Sequence, residues 1–260
     1  MDEQSPSPQV TPALIVQEFH KTYEQTVAVQ GLNCVVMPGQ ILGLLGPNGA
    51  GKTTTMRAIC GIIPPTHGQL LVAGHDVVSD PIRAKQHLAY VPDDPHLFDT
   101  LTVWEHLEFT AAVYRIGEFK EAAEYLLIQF ELLDKKNTPA QQLSRGMRQK
   151  VAICCAYLHN PSAILLDEPL TGLDPRGIRT MKQSVRERAA GGTAFLISSH
   201  LLALVSDLCT HLLILHHGRR LYFGPVEEAR AAYAGLDKDA SLEEVFFRAT
   251  EVPQTPAQVP

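Results

Sequence analysis

The sequence lacks several features that mark common classes of protein. The chain has 22 Lys and Arg residues and 28 Asp and Glu residues, so it has no excess of basic charge that would favour binding to nucleic acid or to an anionic membrane surface. None of its apolar runs approaches the ~20 residues that span a bilayer. The five cysteines form no C-x-x-C pair and show no metal-ligand spacing, which favours reduced core thiols. We therefore expect a soluble, cytosolic chain with no nucleic-acid partner.

What remains is the composition of a globular protein. A chain of 260 residues with 45% hydrophobic content can bury a large core, and its length suits one domain or a domain with a subdomain. Residues 1–12 and 251–260 are rich in Pro, Gln and other polar residues and are predicted to be disordered tails. The folded domain is then expected at 13–250.

The stretch LGLLGPNGAGKTTT at residues 42–55 contains a phosphate-binding loop. Gly46, Gly51, Lys52 and Thr53 complete the pattern G-x-x-x-x-G-K-[ST] between a predicted strand and a predicted helix. Glycines let successive N–H groups point at one anion in front of a helix N-terminus. Lys52 is predicted to reach the β- and γ-phosphates of a nucleotide, and Thr53 to bind Mg²⁺. An ordinary glycine-rich turn is the alternative.

The hydrophobic pattern around this loop predicts the fold class. Alternating apolar and polar residues at 13–23 and 26–36 predict antiparallel strands. Apolar runs at 41–45 and 88–91 predict further strands, and Asp80 before Pro81 predicts a helix N-cap. No strand pattern occurs within an insert at about 93–160, which predicts a helical subdomain, and Thr102 with Glu105 predicts a capping box at the start of its first helix. Strand and helix patterns then alternate to residue 249. We expect an α/β fold with a P-loop NTPase core, mostly parallel with helices on both faces, an antiparallel β subdomain and an inserted α-helical subdomain.

Two carboxylates follow the apolar run at 163–166. Asp167 and Glu168 should lie at the carboxyl edge of the parallel sheet, the same edge as the phosphate loop. Asp167 is predicted to hold Mg²⁺ through its water shell, and Glu168 to polarise the attacking water. The alternative is an Asp-Glu pair that caps a helix at a strand exit.

Five motifs in this order resemble the nucleotide-binding domain of ABC transporters. They are the phosphate loop, LSRGMRQ at 143–149, the segment 164–169, TGLD at 171–174 and SSH at 198–200. The resemblance covers residues 13 to 250 approximately. It implies an ATPase of the bacterial exporter type that uses Mg²⁺ and dimerises head to tail with a second nucleotide-binding subunit, itself or a paralogue. It also implies permease partners and a place on the cytoplasmic face of the membrane.

The resemblance assigns roles to individual residues. Ser144 and Gly146 of one subunit would close over the γ-phosphate held by the partner's loop, and His200 would orient the water. Asp174 would link the two sites across the dimer, and Tyr23 would stack on adenine. From the residues alone, Ser144 and Asp174 also read as helix caps, and a strand tyrosine can serve packing. The implied ATP-binding residues are Tyr23, Gly46, Pro47, Asn48, Gly49, Ala50, Gly51, Lys52, Thr53, Thr54, Ser144 and Gly146.

The chain departs from the family pattern at three positions. Asp93 stands where the family usually carries Gln after Tyr-Val-Pro, and its shorter side chain remains an oxygen ligand that can bind Mg²⁺. Arg145 replaces a usual Gly and Met147 a usual Gln in the signature. Arg145 is expected to contact the γ-phosphate or to point to solvent. Because Ser144 and Gly146 are retained, we expect activity to survive.

A cluster of apolar residues lies at the start of the helical insert. In the family this neighbourhood forms a groove for a helix of the membrane subunit, and a plain core role is the alternative. The residues concerned are Leu97, Phe98, Leu101, Val103 and Trp104.

Two other functions stay open. One is a soluble ABC-type ATPase that acts on DNA or ribosomes, which the single set of motifs, the short insert and the negative charge disfavour. The other is a nucleotide-dependent regulator with weak turnover, which Asp93 and the altered signature suggest.

Overall fold

A computed structural model describes residues 10–200, 202–232 and 241–251 of the chain. The predicted tails at 1–12 and 251–260 therefore lie outside the described residues, apart from residues 10–12 and 251. Within the described part, none of the helices is both long enough and apolar enough to cross a membrane.

The strands are β1 (Leu14–Tyr23), β2 (Thr26–Val36), β3 (Ile41–Leu45), β4 (His67–Val72), β5 (His75–Asp76), β6 (Leu88–Val91), β7 (Ala163–Asp167), β8 (Ala194–Ser198), β9 (His211–His216) and β10 (Arg219–Pro225). The α-helices are α1 (Lys52–Ile59), α2 (Pro81–Gln86), α3 (Val103–Tyr114), α4 (Lys120–Gln129), α5 (Arg145–Leu158), α6 (Pro175–Ala190), α7 (Leu202–Leu208), α8 (Val226–Ala232) and α9 (Leu242–Glu251). Short 3-10 helices occupy Leu133–Lys135 and Ala140–Gln142.

A six-stranded sheet in the order β10-β9-β3-β8-β7-β6 forms the centre of the molecule. Its strands β9, β3, β8, β7 and β6 run parallel, and β10 pairs antiparallel with β9 at one edge. A second sheet, β2-β1-β4-β5, is antiparallel throughout. The predicted fold class, a mostly parallel core with an antiparallel β subdomain, is confirmed.

The parallel sheet separates two hydrophobic cores because successive side chains of a strand point to opposite faces. Ile41 and Leu45 of β3 enter one core with the helices of the insert, including Val151 of α5. Leu42 and Leu44 enter the other core with α1 and the antiparallel sheet. Burial on both faces explains why the strands read as apolar runs rather than as alternating patterns.

The five cysteines are thiols of these cores, as predicted. All are free, with Cys155 partly buried and the other four buried. Burial raises the pKa of Cys155 to about 11 and the pKa of Cys34 and Cys209 to about 12. These thiols therefore stay protonated near neutral pH and serve as small apolar side chains.

Local sequence signals predicted several element boundaries correctly, but not every side-chain contact at them. The predicted strands at 26–36, 41–45 and 88–91 match β2, β3 and β6. Asp80 does occupy the N-cap position of α2, but its side chain makes no capping bond there. Its Oδ2 atom lies 3.1 Å from His75 Nδ1 instead, so the side chain joins α2 to β5.

Helix α3 begins with the predicted capping box, and this yields a stability prediction. The Thr102 hydroxyl accepts a hydrogen bond from Glu105 N at 3.2 Å, and the Glu105 carboxylate accepts one from Thr102 N at 2.7 Å. We expect Thr102→Ala to lower the free energy of unfolding by about 1 kcal/mol and the melting temperature by about 2–4 °C. Thermal unfolding checks this, with the exposed Thr100→Ala as control. Equal melting curves for both variants would contradict a stabilising box.

Candidate active site

The phosphate loop joins β3 to α1, so its backbone passes directly in front of a helix N-terminus. Gly51 precedes α1 with φ 102°, in the left-handed region that favours glycine. A Cβ atom there would also lie 2.7 Å from the Ala28 carbonyl oxygen, so the loop and β2 approach too closely for a larger residue. The arrangement leaves the first N–H groups of α1 open to an anion.

Lys52, the first residue of α1, points back along the loop. Its ammonium donates hydrogen bonds to Gly46 O at 2.6 Å and to Pro47 O at 3.1 Å. Burial lowers the pKa of Lys52, and the nearby charges of Glu168 and Asp167 oppose that shift. The structure therefore brings the predicted lysine and the two predicted carboxylates into one electrostatic site.

Tyr23 and the loop line the same cleft, which has a volume of about 370 Å³. Tyr23 is the last residue of β1 and remains 45% exposed, so it is not a core residue. The Lys21 ammonium lies 5.0 Å from the centre of its ring. The other lining residues are Thr26, Val27, Ala28, Asn48, Gly49, Ala50, Gly51, Lys52, Thr53 and Thr54.

Asp167 ends β7 and is held by hydroxyl groups from the two neighbouring strands. Ser198 of β8 donates a hydrogen bond to Asp167 Oδ1, and Tyr90 of β6 approaches Oδ2 at 3.4 Å. Burial and the charge of Asp167 raise the pKa of Tyr90, so its hydroxyl stays a donor. Sequence reasoning gave no role to Ser198 or Tyr90. Both residues lie near the carboxyl ends of strands adjacent to β7, and this position could have identified them as neighbours of Asp167.

Glu168 and His200 contact each other just beyond that edge. The Glu168 carboxylate accepts a hydrogen bond from His200 N at 2.9 Å, and its other oxygen lies 2.8 Å from His200 Nδ1. Glu168 has φ 48°, a left-handed conformation that is uncommon for a residue with a side chain and is often found at functional sites. The predicted base and the predicted water-orienting residue therefore lie side by side.

The signature motif forms the start of α5. The Ser144 hydroxyl caps this helix by accepting a hydrogen bond from Met147 N at 3.3 Å. Gly146 packs so tightly on the Gly172 carbonyl that a Cβ atom would collide with it. Asp174 caps α6 in the same way, through Gly177 N at 2.7 Å. Ser144 and Asp174 are both exposed.

Asp93 and Arg145 lie against each other. The Arg145 guanidinium donates to the Asp93 carboxylate at 3.0 Å and approaches the Asp93 carbonyl oxygen at 3.4 Å. Arg145 was expected to contact a phosphate or to point to solvent, and the ion pair with Asp93 was missed. The two residues are 52 positions apart, and neither lies in a periodic pattern that would align them.

A groove of about 470 Å³ lies beside the loop that follows β6. Leu97 and Phe98 line it, as expected, and Phe98 N donates to His106 Nε2 at 3.0 Å. Leu101, Val103 and Trp104 do not line it. Val103 is fully buried in the core, and the Trp104 ring packs on Phe119 and under the Lys136 ammonium, so the core alternative holds for both residues.

Thr53 and Asp167, the residues predicted from the motifs to hold Mg²⁺, offer donor atoms that fit this ion. Thr53 offers a hydroxyl and Asp167 a carboxylate, both hard oxygen ligands. The described residues contain no group of three or more His, Cys, Asp and Glu side chains able to hold a metal ion. Magnesium suits such a sparse site because it binds proteins through one or two carboxylates together with substrate phosphates.

Comparisons with known proteins agree with this geometry. A family profile described as "ABC transporter" matches residues 29–171. The chain is 35% identical over 242 residues to the ABC-type transporter ATP-binding protein EcsA of Bacillus subtilis, covering 92% of this chain and 96% of the relative. It is 32% identical to Nod factor export ATP-binding protein I of Ralstonia nicotianae, covering 90% and 74%. A solved structure of an ABC transporter ATP-binding subunit matches with TM-score 0.88 and 33% identity, covering 91% and 99%.

Proposed function

This chain belongs to the family of ABC transporter ATP-binding proteins, and from that premise we propose that it is the ATP-hydrolysing subunit of an exporter. One observation carries the proposal: the phosphate loop, Asp167, Glu168 and His200 meet at the carboxyl edge of one parallel sheet. The relatives include a protein named for export, which supports export as the direction of transport.

The phosphate loop and α1 bind the nucleotide. The N–H groups of the loop face the phosphates, and the Lys52 ammonium leaves the Gly46 and Pro47 carbonyl oxygens to contact the β- and γ-phosphates. The exposed Tyr23 ring, on the wall of the same cleft, stacks on the base. Thr53 and Asp167 would hold Mg²⁺, which when bound neutralises charge on the phosphate oxygens.

Glu168 accepts a proton from the water that attacks the γ-phosphate. His200 holds the Glu168 carboxylate through its backbone N–H and its imidazole, so the base is fixed before the water arrives. Ser198 and Tyr90 fix Asp167 in the same manner. Positioning and charge stabilisation, rather than covalent chemistry, supply the acceleration.

A second subunit completes the site. Ser144 is the N-cap of α5 and Gly146 lies in its first turn, so the remaining N–H groups of that turn form a second anion site on a different part of the same chain. One nucleotide uses both sites only if the signature of a partner closes over it, in a head-to-tail dimer. Asp174 lies exposed at the start of α6 and would contact the partner. We take the partner to be a second copy of this chain.

The groove lined by Leu97 and Phe98 receives a segment of a permease subunit. Phe98 is 55% exposed on its rim, so the described residues, including Phe109 beside it, cover its apolar ring only in part. Docking there places the chain on the cytoplasmic face of the membrane. Copurification from detergent-solubilised membranes tests this, with Phe98→Asp expected to lose the permease and Phe109→Asp as a second rim variant.

A steady-state ATPase assay of the purified chain tests the proposed activity. Turnover should require Mg²⁺ and stop on chelation with EDTA. An ATP-binding chain that releases no phosphate, alone or with copurified permease, would be a regulator rather than the motor of a transporter.

Tyr23 supports a prediction about binding. We expect Tyr23→Ala to weaken ATP binding about 2- to 12-fold because a ring stack is lost, while Tyr23→Phe keeps the parental affinity. Titration with a fluorescent ATP analogue measures both values. Equal affinity for the Ala and Phe variants would mean that the ring serves only strand packing.

A further inference from the structure

Two of the three positions at which the sequence departs from its family pattern, Asp93 and Arg145, contact each other. Asp93 lies in the loop that follows β6, and Arg145 is the first residue of α5. Their side chains form an ion pair with an N–O distance of 3.0 Å, and the same guanidinium nitrogen reaches the Asp93 carbonyl oxygen at 3.4 Å. A single guanidinium therefore contacts both the side chain and the backbone of the loop.

The stem of Arg145 is also held in place. A Cβ atom at Gly172 would lie 3.4 Å from Arg145 Cγ and Cδ, so the stem passes over Gly172. The neighbouring Gly146 packs on the Gly172 carbonyl. The start of α5 is thus fixed between two loops, one after β6 and one after β7, and Arg145 contacts both.

We propose that Asp93 and Arg145 are positioning residues of the ATPase. The ion pair ties the loop after β6 to the first turn of α5. That loop continues through Pro95 and Leu97, which line the groove, and the first turn of α5 follows the Ser144 cap. The loop after β6 and the first turn of α5 then move together, so docking of a partner at the groove is coupled to closure of the signature over a nucleotide. This inference rests on the proposed function.

The pairing also changes the role expected for Asp93. The guanidinium already contacts one oxygen of the Asp93 carboxylate, Oδ1, and we infer that Thr53 and Asp167, rather than Asp93, are the protein ligands of the metal. The two roles of Asp93 predict different effects of substituting Arg145. If Asp93 acts through the ion pair, changing Arg145 lowers ATPase activity as much as changing Asp93; if Asp93 binds the metal, it does not.

A double-mutant cycle tests the proposal. ATPase rates of the purified chain are compared for the parental sequence, Asp93→Asn, Arg145→Gln, the double variant and the exchanged pair D93R/R145D. Because both side chains are about half exposed, each single change should lower kcat/KM for Mg·ATP about two- to fivefold. The double variant should be no worse than either single one. The exchanged pair should recover most of the loss, less so in high salt.

Other outcomes overturn the proposal. Additive losses, or an exchanged pair as poor as the double variant, would show that the two residues act independently. A raised Mg²⁺ requirement in Asp93→Asn alone would make Asp93 a metal ligand. Glu124→Gln is the control, since it breaks an exposed ion pair with Lys136 of similar length, 2.9 Å, and should leave activity unchanged.

The same variants separate this inference from the proposed function. A parental chain without ATPase activity would contradict the proposed function. The double-mutant cycle is then evaluated from melting temperatures. The decreases caused by the two single changes should again be non-additive, and the exchanged pair should recover most of the parental melting temperature. Additive melting shifts would overturn the ion pair independently of any activity.

Discussion

Replacing Glu168 by Gln should lower the ATPase rate by about 10²- to 10⁴-fold while ATP binding survives. Gln has the size of Glu but cannot take a proton from the attacking water. Its carbonyl oxygen can still accept the hydrogen bond that His200 N donates at 2.9 Å, so the local geometry is kept. Phosphate release and nucleotide binding, measured on the same preparation, separate loss of chemistry from loss of binding.

The control for this experiment is Glu187→Gln, an exposed position on α6 that should keep the parental rate. A Glu168→Gln variant that hydrolyses ATP at the parental rate would remove Glu168 as the base. Loss of binding together with turnover would instead assign Glu168 a structural role in the contact with His200.

Replacing Lys52 by Ala should weaken ATP binding about 10- to 150-fold, because a hydrogen bond from an ammonium to a phosphate contributes about 1.5–3 kcal/mol. The parental ammonium already lies half-buried against the loop carbonyl oxygens, so little reorganisation is needed when phosphates displace them. Turnover should fall as well. Calorimetric titration with Mg·ATP measures the affinity.

Lys120→Ala provides the matched control, since Lys120 is exposed at the start of α4 in the helical insert. It should bind ATP with parental affinity. If Lys52→Ala also retained parental affinity, the loop would be a glycine-rich turn without the phosphate role assigned to it.

The sequence was informative where a local signal had one physical cause. Apolar runs predicted β3 and β6 to the residue because these strands are buried on both faces. The capping box of Thr102 and the caps at Ser144 and Asp174 followed from side-chain chemistry within three residues. The strand β5 was missed because two residues, His75 and Asp76, leave no periodicity to detect.

Parts of the site could not be predicted because they depend on the meeting of distant loops. The carboxyl edge of a parallel sheet told us that Asp167 and Glu168 face the phosphate loop, but not that Tyr90 approaches Asp167. The ion pair of Asp93 and Arg145 joins segments whose relative position only the folded chain defines. Both residues stand out in the sequence as departures from the family pattern, but only the structure shows that they contact each other.

The most direct test of a shared nucleotide site is the molar mass of Glu168→Gln in solution, measured by light scattering with and without Mg·ATP. A shared site predicts the mass of one chain, 28.5 kDa, without nucleotide and twice that mass with it. Adding Ser144→Arg should prevent the increase, because the larger charged side chain blocks the signature that closes over the partner's phosphate. A Glu168→Gln chain that binds ATP yet stays at 28.5 kDa would contradict the account.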